Sequence, residues 1–109
     1  MIPSSVQIFV CTEPVDMRLG FDRLAARIRD GLKQDPQSGS LFIFANRGAT
    51  RLKVLWFERH GLCMLYKRLH RATFDIPCDG RSVSVAIDAK QLGKLLEGVP
   101  RGEGRRSKR

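Results

Sequence analysis

The sequence predicts an α+β fold in a single domain, an antiparallel sheet of about six strands with two helices in the order β-α-β-β-β-β-β-α. Three observations carry that expectation. Residues 41–69 hold three strand-like runs, LFIFA, RLKVLWF and LCMLYKRL, joined by two Gly-containing turns. Apolar residues recur at helical spacing once before these runs and once near the C-terminus. Strands and helices do not alternate regularly, as a parallel sheet would require.

Residues 6–11 read as a first strand, ended by Pro14. Phe21, Leu24, Ala25, Ile28 and Leu32 then form one apolar stripe for packing on a sheet. The helix that carries them starts either at Asp16, whose carboxylate can accept orphan amide bonds, or near Gly20. Gly31 and the Asp35-Pro36 step place its end near Lys33. Arg23 and Arg27 lie one turn apart on another face, with Arg18 just before them. After the three central runs, residues 73–76 and 82–87 alternate apolar and smaller or polar side chains, and Asp79-Gly80 between them is a tight-turn signal. Asp88 can cap a last short helix whose Leu92, Leu95, Leu96 and Val99 face one way, stopped by Pro100.

The central hairpin has a testable register. With an even-numbered loop around Arg59, His60 and Gly61, residues of opposite parity on the two strands share a face. One side then carries Leu52, Val54, Trp56, Cys63, Leu65 and Leu69, which reads as core. The other carries Arg51, Lys53, Leu55 and Phe57 with Leu62, Met64, Tyr66 and Arg68. Its far end sets three cations around a tyrosine, chemistry suited to phosphate contact with base or sugar stacking, although an ordinary solvated sheet face has the same pattern. Lys67 interrupts the apolar side and reads as a strand end or a bulge.

The chain has 109 residues, 42% of them hydrophobic, and a formal charge of +9, enough for one modest core and a bias toward polyanionic partners. The last nine residues hold five of the cations against one acid, leaving 15 cations and 10 acids, a net +5, on residues 1–100. Residues 1–100 therefore read as the folded domain, and the Gly-containing, almost apolar-free stretch 101–109 as a disordered basic tail. Cys11, Cys63 and Cys78 are odd in number and far apart, which fits reduced thiols in a cytosol better than a disulfide framework. The N-terminal stretch lacks the pattern of a secretory leader, and no apolar run approaches the roughly 18 residues of a membrane span.

An ordered string of short segments is more specific than any of these features. It runs Asp16-Met17-Arg18, Gly20-Phe21-Asp22, Asp35-Pro36, Ser38-Gly39, Leu41-Phe42 with Phe44, and Arg47-Gly48. It continues Lys53-Val54-Leu55-Trp56, Gly61-Leu62-Cys63, Tyr66-Lys67-Arg68-Leu69, Gln91-Leu92 and Leu95-Leu96-Glu97-Gly98. The string resembles TnpB, the accessory protein family of insertion-sequence sixty-six transposable elements of bacteria, over residues 6–99. The resemblance implies a small protein encoded beside a separate transposase and needed for efficient transposition, without a defined biochemical activity of its own. The turn 58–61 and the segment 72–77 depart from the family pattern, which has an Asp-Gly-rich turn and a Gly-Arg-Phe-x-Trp-Pro-like segment there.

The residues themselves point away from catalysis. A transposase needs acidic residues converging on two metal ions. Asp16, Asp22 and Asp75 are available, but the first two suit a helix start. His60, Cys63, His70 and Cys78 lack a paired Cys-x-x-Cys knuckle, so neither a metal nor another cofactor is expected. Asn46, Arg47 and Gly48 read either as a turn or as a phosphate contact. The expected function is thus a non-catalytic accessory protein of DNA transposition. In the first reading it binds nucleic acid through Arg51, Lys53, Tyr66 and Arg68, with Arg18, Arg23 and Arg27. In the alternative it is an adaptor that grips the transposase through an exposed apolar patch of Leu55, Phe57, Leu62 and Met64. The expected partners are DNA and the transposase of the same element, with no membrane, in the bacterial cytoplasm.

Overall fold

The computed structural model of the chain describes residues 5–108; the start of the N-terminal stretch and Arg109 of the expected tail lie outside it. Five strands, β1 (Ile8–Cys11), β2 (Leu41–Ala45), β3 (Arg51–Glu58), β4 (Gly61–Arg68) and β7 (Ser84–Ile87), form the main sheet in the order β4-β3-β2-β1-β7. β1 and β2 run parallel, because a helix connects them, and the other pairs are antiparallel. The fold is therefore the expected α+β domain with a mainly antiparallel sheet.

The run LFIFA is apolar on both faces because both faces of the sheet are covered. On one side Phe42, Phe44 and Leu55 meet Leu24, Ile28 and Leu32. On the other, Ile8, Val10, Ile43, Leu52 and Val54 pack with Phe74, Ile76, Leu92 and Leu95. The result is three layers around two apolar clusters.

The first helix, α1 (Phe21–Ala26), continues as a π-helical turn, Arg27–Gly31, in which the Leu32 amide donates to the Arg27 carbonyl at 3.1 Å. It begins after Gly20, not at Asp16, whose carboxylate instead accepts the backbone amide and guanidinium of Arg18. The buried stripe consequently starts at Leu24, and Phe21 stays 47% exposed. The second helix, α2 (Ala89–Glu97), opens with the expected Asp88 cap: Asp88 Oδ1 accepts the Gln91 amide at 2.7 Å, and Gln91 Oε1 accepts the Asp88 amide at 2.8 Å. It ends at Gly98, with φ 81°, before Pro100 is reached; a Cβ there would lie 2.6 Å from Leu69 Cδ1.

The C-terminal third differs from expectation in its pairing. β5 (Ala72–Thr73) pairs with β8 (Val99–Pro100), and β6 (Asp75–Cys78) runs parallel to β9 (Arg105–Lys108). β6 and β7 are not partners. The Asp79-Gly80 turn passes the chain from one sheet to the next, with the Asp79 carboxylate accepting from the amides of Arg81 and Ser82 and from the Ser82 hydroxyl. Residues 105–108, which composition places in a disordered tail, form β9 instead. The Arg106 guanidinium reaches back to the carbonyls of Thr12 (2.7 Å), Ala45 (3.1 Å) and Asn46 (3.2 Å), so its planar fork of donors ties this strand to the ends of β1 and β2. That contact uses only backbone acceptors, so composition could not announce it.

Candidate nucleic-acid interface

The β3–β4 hairpin has the register that parity predicts. Arg51 stands opposite Arg68, Lys53 opposite Tyr66, Leu55 opposite Met64 and Phe57 opposite Leu62, while Val54 meets Leu65 and Trp56 meets Cys63 on the other face. The loop is two residues, Arg59 and His60, both at positive φ (48° and 74°), the geometry of a type I′ turn. Lys67 sits in an unbroken ladder without a bulge. Its ammonium escapes the apolar side by donating to the Leu96 carbonyl at the end of α2.

The cationic end of this hairpin is built by three layers of contact. Arg51 and Arg68 are directly opposed across the two strands, and neither makes an ion pair with a carboxylate among the described residues. Like charges so placed repel. Beside them the Tyr66 ring is 50% exposed, with the Lys53 ammonium 4.8 Å from its centroid on the covered side. Lys53 itself is not available to a ligand. It is only 6% exposed, and its ammonium donates to the Met17 carbonyl at 2.6 Å and the Leu19 carbonyl at 2.9 Å. The expectation of Lys53 as a phosphate contact is corrected accordingly: α1 and the loop before it cover that part of the sheet, and the lysine ties the loop down.

That loop carries Arg18 to the same region. Its side chain is 91% exposed, and its guanidinium forks onto Asp16, with Nη2 2.7 Å from Oδ2. The pair holds the Asp16 carboxyl down at about 2. Arg23 follows on the exposed side of α1 without an ion pair among the described residues, whereas Arg27 turns toward Glu13 at 3.5 Å. The structure thus gathers Arg51, Tyr66 and Arg68, holds the backbone on either side of Arg18 to Lys53 while its guanidinium turns onto Asp16, and pairs Arg27 with Glu13.

Two further groups complete the surroundings. Asn46 makes the turn before β3: its Oδ1 accepts the amides of Thr50 (2.9 Å) and Arg51 (3.0 Å), and Ala49 takes the positive φ of 54°. Arg47 projects from that turn, exposed, near enough to Arg106 to oppose its charge. Of the expected apolar patch Leu55 is fully buried, while Phe57, Leu62 and Met64 stay half-buried, the last two packing against the α1 cluster. An apolar hollow does occur, on the opposite sheet face, where Leu41, Val54, Trp56, Leu65, Leu92 and Leu96 bound about 500 Å³. Sequence reasoning missed it because the same residues, at the same period, also read as closed core.

Among the described residues no three His, Cys, Asp or Glu side chains are placed to hold one metal ion. Cys11, Cys63 and Cys78 are free thiols, and burial raises the pKa of Cys11. Among the described residues no helix is long and apolar enough to cross a membrane.

Comparison with known proteins agrees with the string of segments read from the sequence. The uncharacterized protein y4hO of Sinorhizobium fredii is 40% identical over 101 residues, which is 91% of this chain and 87% of that protein. The uncharacterized protein y4jC of the same organism is 32% identical over 72 residues, 66% of this chain and 62% of that protein. No solved structure matches the chain. The profile of one family, described as IS66 Orf2 like protein, matches residues 6–106, seven residues beyond the stretch that carried the sequence resemblance and into the strand that holds Arg106. The chain belongs to this IS66 TnpB family, and so to the accessory proteins of insertion-sequence transposition.

Proposed function

We propose that the protein is a non-catalytic DNA-binding module that assists its element's transposase. In this reading Arg51 and Arg68 neutralise phosphates, Tyr66 stacks beside them, and Arg18 and Arg23 extend the contact along the backbone. The observation that carries it is the cross-strand arginine pair. Two arginines set directly opposite each other in register without a carboxylate cost folding energy that a bound phosphate would recover. The net charge of +9 brings polyanions to this surface, and the exposed aromatic beside the pair gives a base or sugar somewhere to pack. The transposase of the same element is the protein partner, and the bacterial cytoplasm the place of action.

The test is the salt dependence of binding to duplex carrying the transposon end, followed by fluorescence anisotropy. Changing both Arg51 and Arg68 to Ala lowers the slope of log affinity against log salt by about 0.9 per lost contact. Tyr66→Ala costs roughly 1–3 kcal/mol on a substrate with an unpaired end, if the ring stacks on a base. Circular dichroism confirms that each variant is folded. An unchanged salt slope in the folded double variant sinks the proposal.

A further inference from the structure

The main sheet ends in a long strand whose outer edge has no strand partner among the described residues. β4 has eight residues, pairs only with β3 among the described residues, and keeps continuous register from Gly61 to Arg68. Edge strands are usually kept short or interrupted by proline, a bulge or an inward charge. β4 has no proline and no bulge; its one charge on the apolar face, Lys67, is turned onto the Leu96 carbonyl at one end of the strand, and Leu65 on the same face is 42% exposed.

Its hydrogen-bonding groups can be assigned. The Leu69 amide donates to the Thr50 carbonyl at 2.8 Å, and antiparallel ladders alternate, so residues 61, 63, 65 and 67 bond to β3. The amides and carbonyls of Leu62, Met64, Tyr66 and Arg68 therefore point out of the sheet. Leu65 also forms the outer wall of the 500 Å³ apolar hollow beneath α2, so a strand added here would lay alternate side chains against that wall.

Charge selects the occupant. Residues 58–71 carry Arg59, Lys67, Arg68 and Arg71 against the single acid Glu58, and that carboxylate already accepts the Trp56 indole N–H at 3.3 Å. A second copy brings another +9 to the same edge, and the antiparallel register that sets Leu65 against its counterpart also sets Arg71 against Arg59. An acidic strand meets no such opposition. We propose that the outer edge of β4 is a strand-addition site for an extended segment of a partner protein that alternates acidic with β-branched residues. The site adjoins the arginine pair, since Arg68 lies on the same strand, but it is engaged through backbone groups rather than through the guanidiniums and does not require DNA to be bound.

The test uses the full chain and a fluorescein-labelled decapeptide alternating Glu with Val and Ile. Controls are the same peptide with Lys for Glu and one N-methylated at alternate residues. The acidic peptide binds and shifts the amide resonances of Leu62, Met64, Tyr66 and Arg68; both control peptides bind at least roughly tenfold more weakly. Met64→Pro removes an outward donor without touching the β3 ladder, and it weakens the acidic peptide similarly while leaving DNA affinity unchanged. No binding of the acidic peptide, equal binding of either control, or a dimer dissolved by Met64→Pro would each overturn the proposal. The N-methylated peptide decides the matter even if the proline variant fails to fold.

Discussion

Lys53 and Tyr66 form a cross-strand pair in which the ammonium lies 4.8 Å from the ring centroid, but the charge is spent elsewhere, on the carbonyls of Met17 and Leu19. A lysine in the middle of a strand thereby anchors a loop more than thirty residues earlier in the chain. Hydrogen bonds from a charged donor are worth about 1.5–3 kcal/mol each. Lys53→Met removes both bonds but also the cost of burying an ammonium, so it should lower stability by about 2–4 kcal/mol, read as a lower urea midpoint. A variant as stable as the parent would show that the loop is held by other contacts.

The C-terminal strand makes a prediction opposite to that of a disordered end. Removing residues 101–109, or changing Arg106 to Ala, takes the guanidinium from the carbonyls of Thr12, Ala45 and Asn46, of which the last two keep the amides of Val15 and Ala49. A loss of about 3 kcal/mol in chemical denaturation is expected for Arg106→Ala and a larger one for the truncation, which also removes the β9 ladder; Arg106→Lys should restore only part of the former because an ammonium lacks the planar fork.

The hairpin turn should be improvable. Arg59 and His60 occupy the two positive-φ positions of a type I′ loop, which suit asparagine followed by glycine. The double change Arg59→Asn with His60→Gly should stabilise the chain by about 1 kcal/mol and raise Tm by about 4 °C in calorimetry. An unchanged Tm would mean that the two left-handed residues carry no strain worth relieving.

Acid should act in part through Asp16. Its carboxyl is depressed to about 2, chiefly by the Arg18 side-chain hydrogen bond and then by the Arg18 amide. A depressed folded-state pKa gives stability that is present above the unfolded value near 4 and lost as pH falls through the folded one. Asp16→Asn should therefore flatten the pH dependence of the urea midpoint between about pH 4 and pH 2. The effect is small because the pair is exposed. Asp79, held below the usual carboxylate range by Ser82 and Arg81, contributes in the same direction and at still lower pH.

Local signals in the sequence were reliable where neighbours in the chain decide the outcome. Alternation set the facing of all eight β3–β4 pairs, and Asp88 with Gln91 announced the start of α2. What stayed hidden was set by partners distant in sequence. A period of two says which face a residue takes but not which strand lies beside it, so β7 was legible as a strand while its pairing with β1 was not. Lys53 looked like a surface cation because its acceptors are backbone carbonyls, which leave no trace in residue type. The same holds for Arg106, and for the layer over Leu55 that makes an apparently open face an interior one. The departure at residues 58–61 was visible as a missing Asp-Gly pair, and the structure gives its physical cost as two side-chain-bearing residues in left-handed backbone.

The position of β1 has a bearing on how the molecule is made. It leaves the ribosome before the other strands of the main sheet, yet it lies inside that sheet, with β2 on one side and β7 on the other. Until Ser84 and the residues after it have been synthesised, the side of β1 that β7 will cover has no neighbour. Ile8, Val10 and Cys11, buried in the finished protein, are meanwhile held on an open edge. A message truncated just before Ser84 should accordingly yield a fragment with this edge of β1 unpaired rather than a shorter version of the protein.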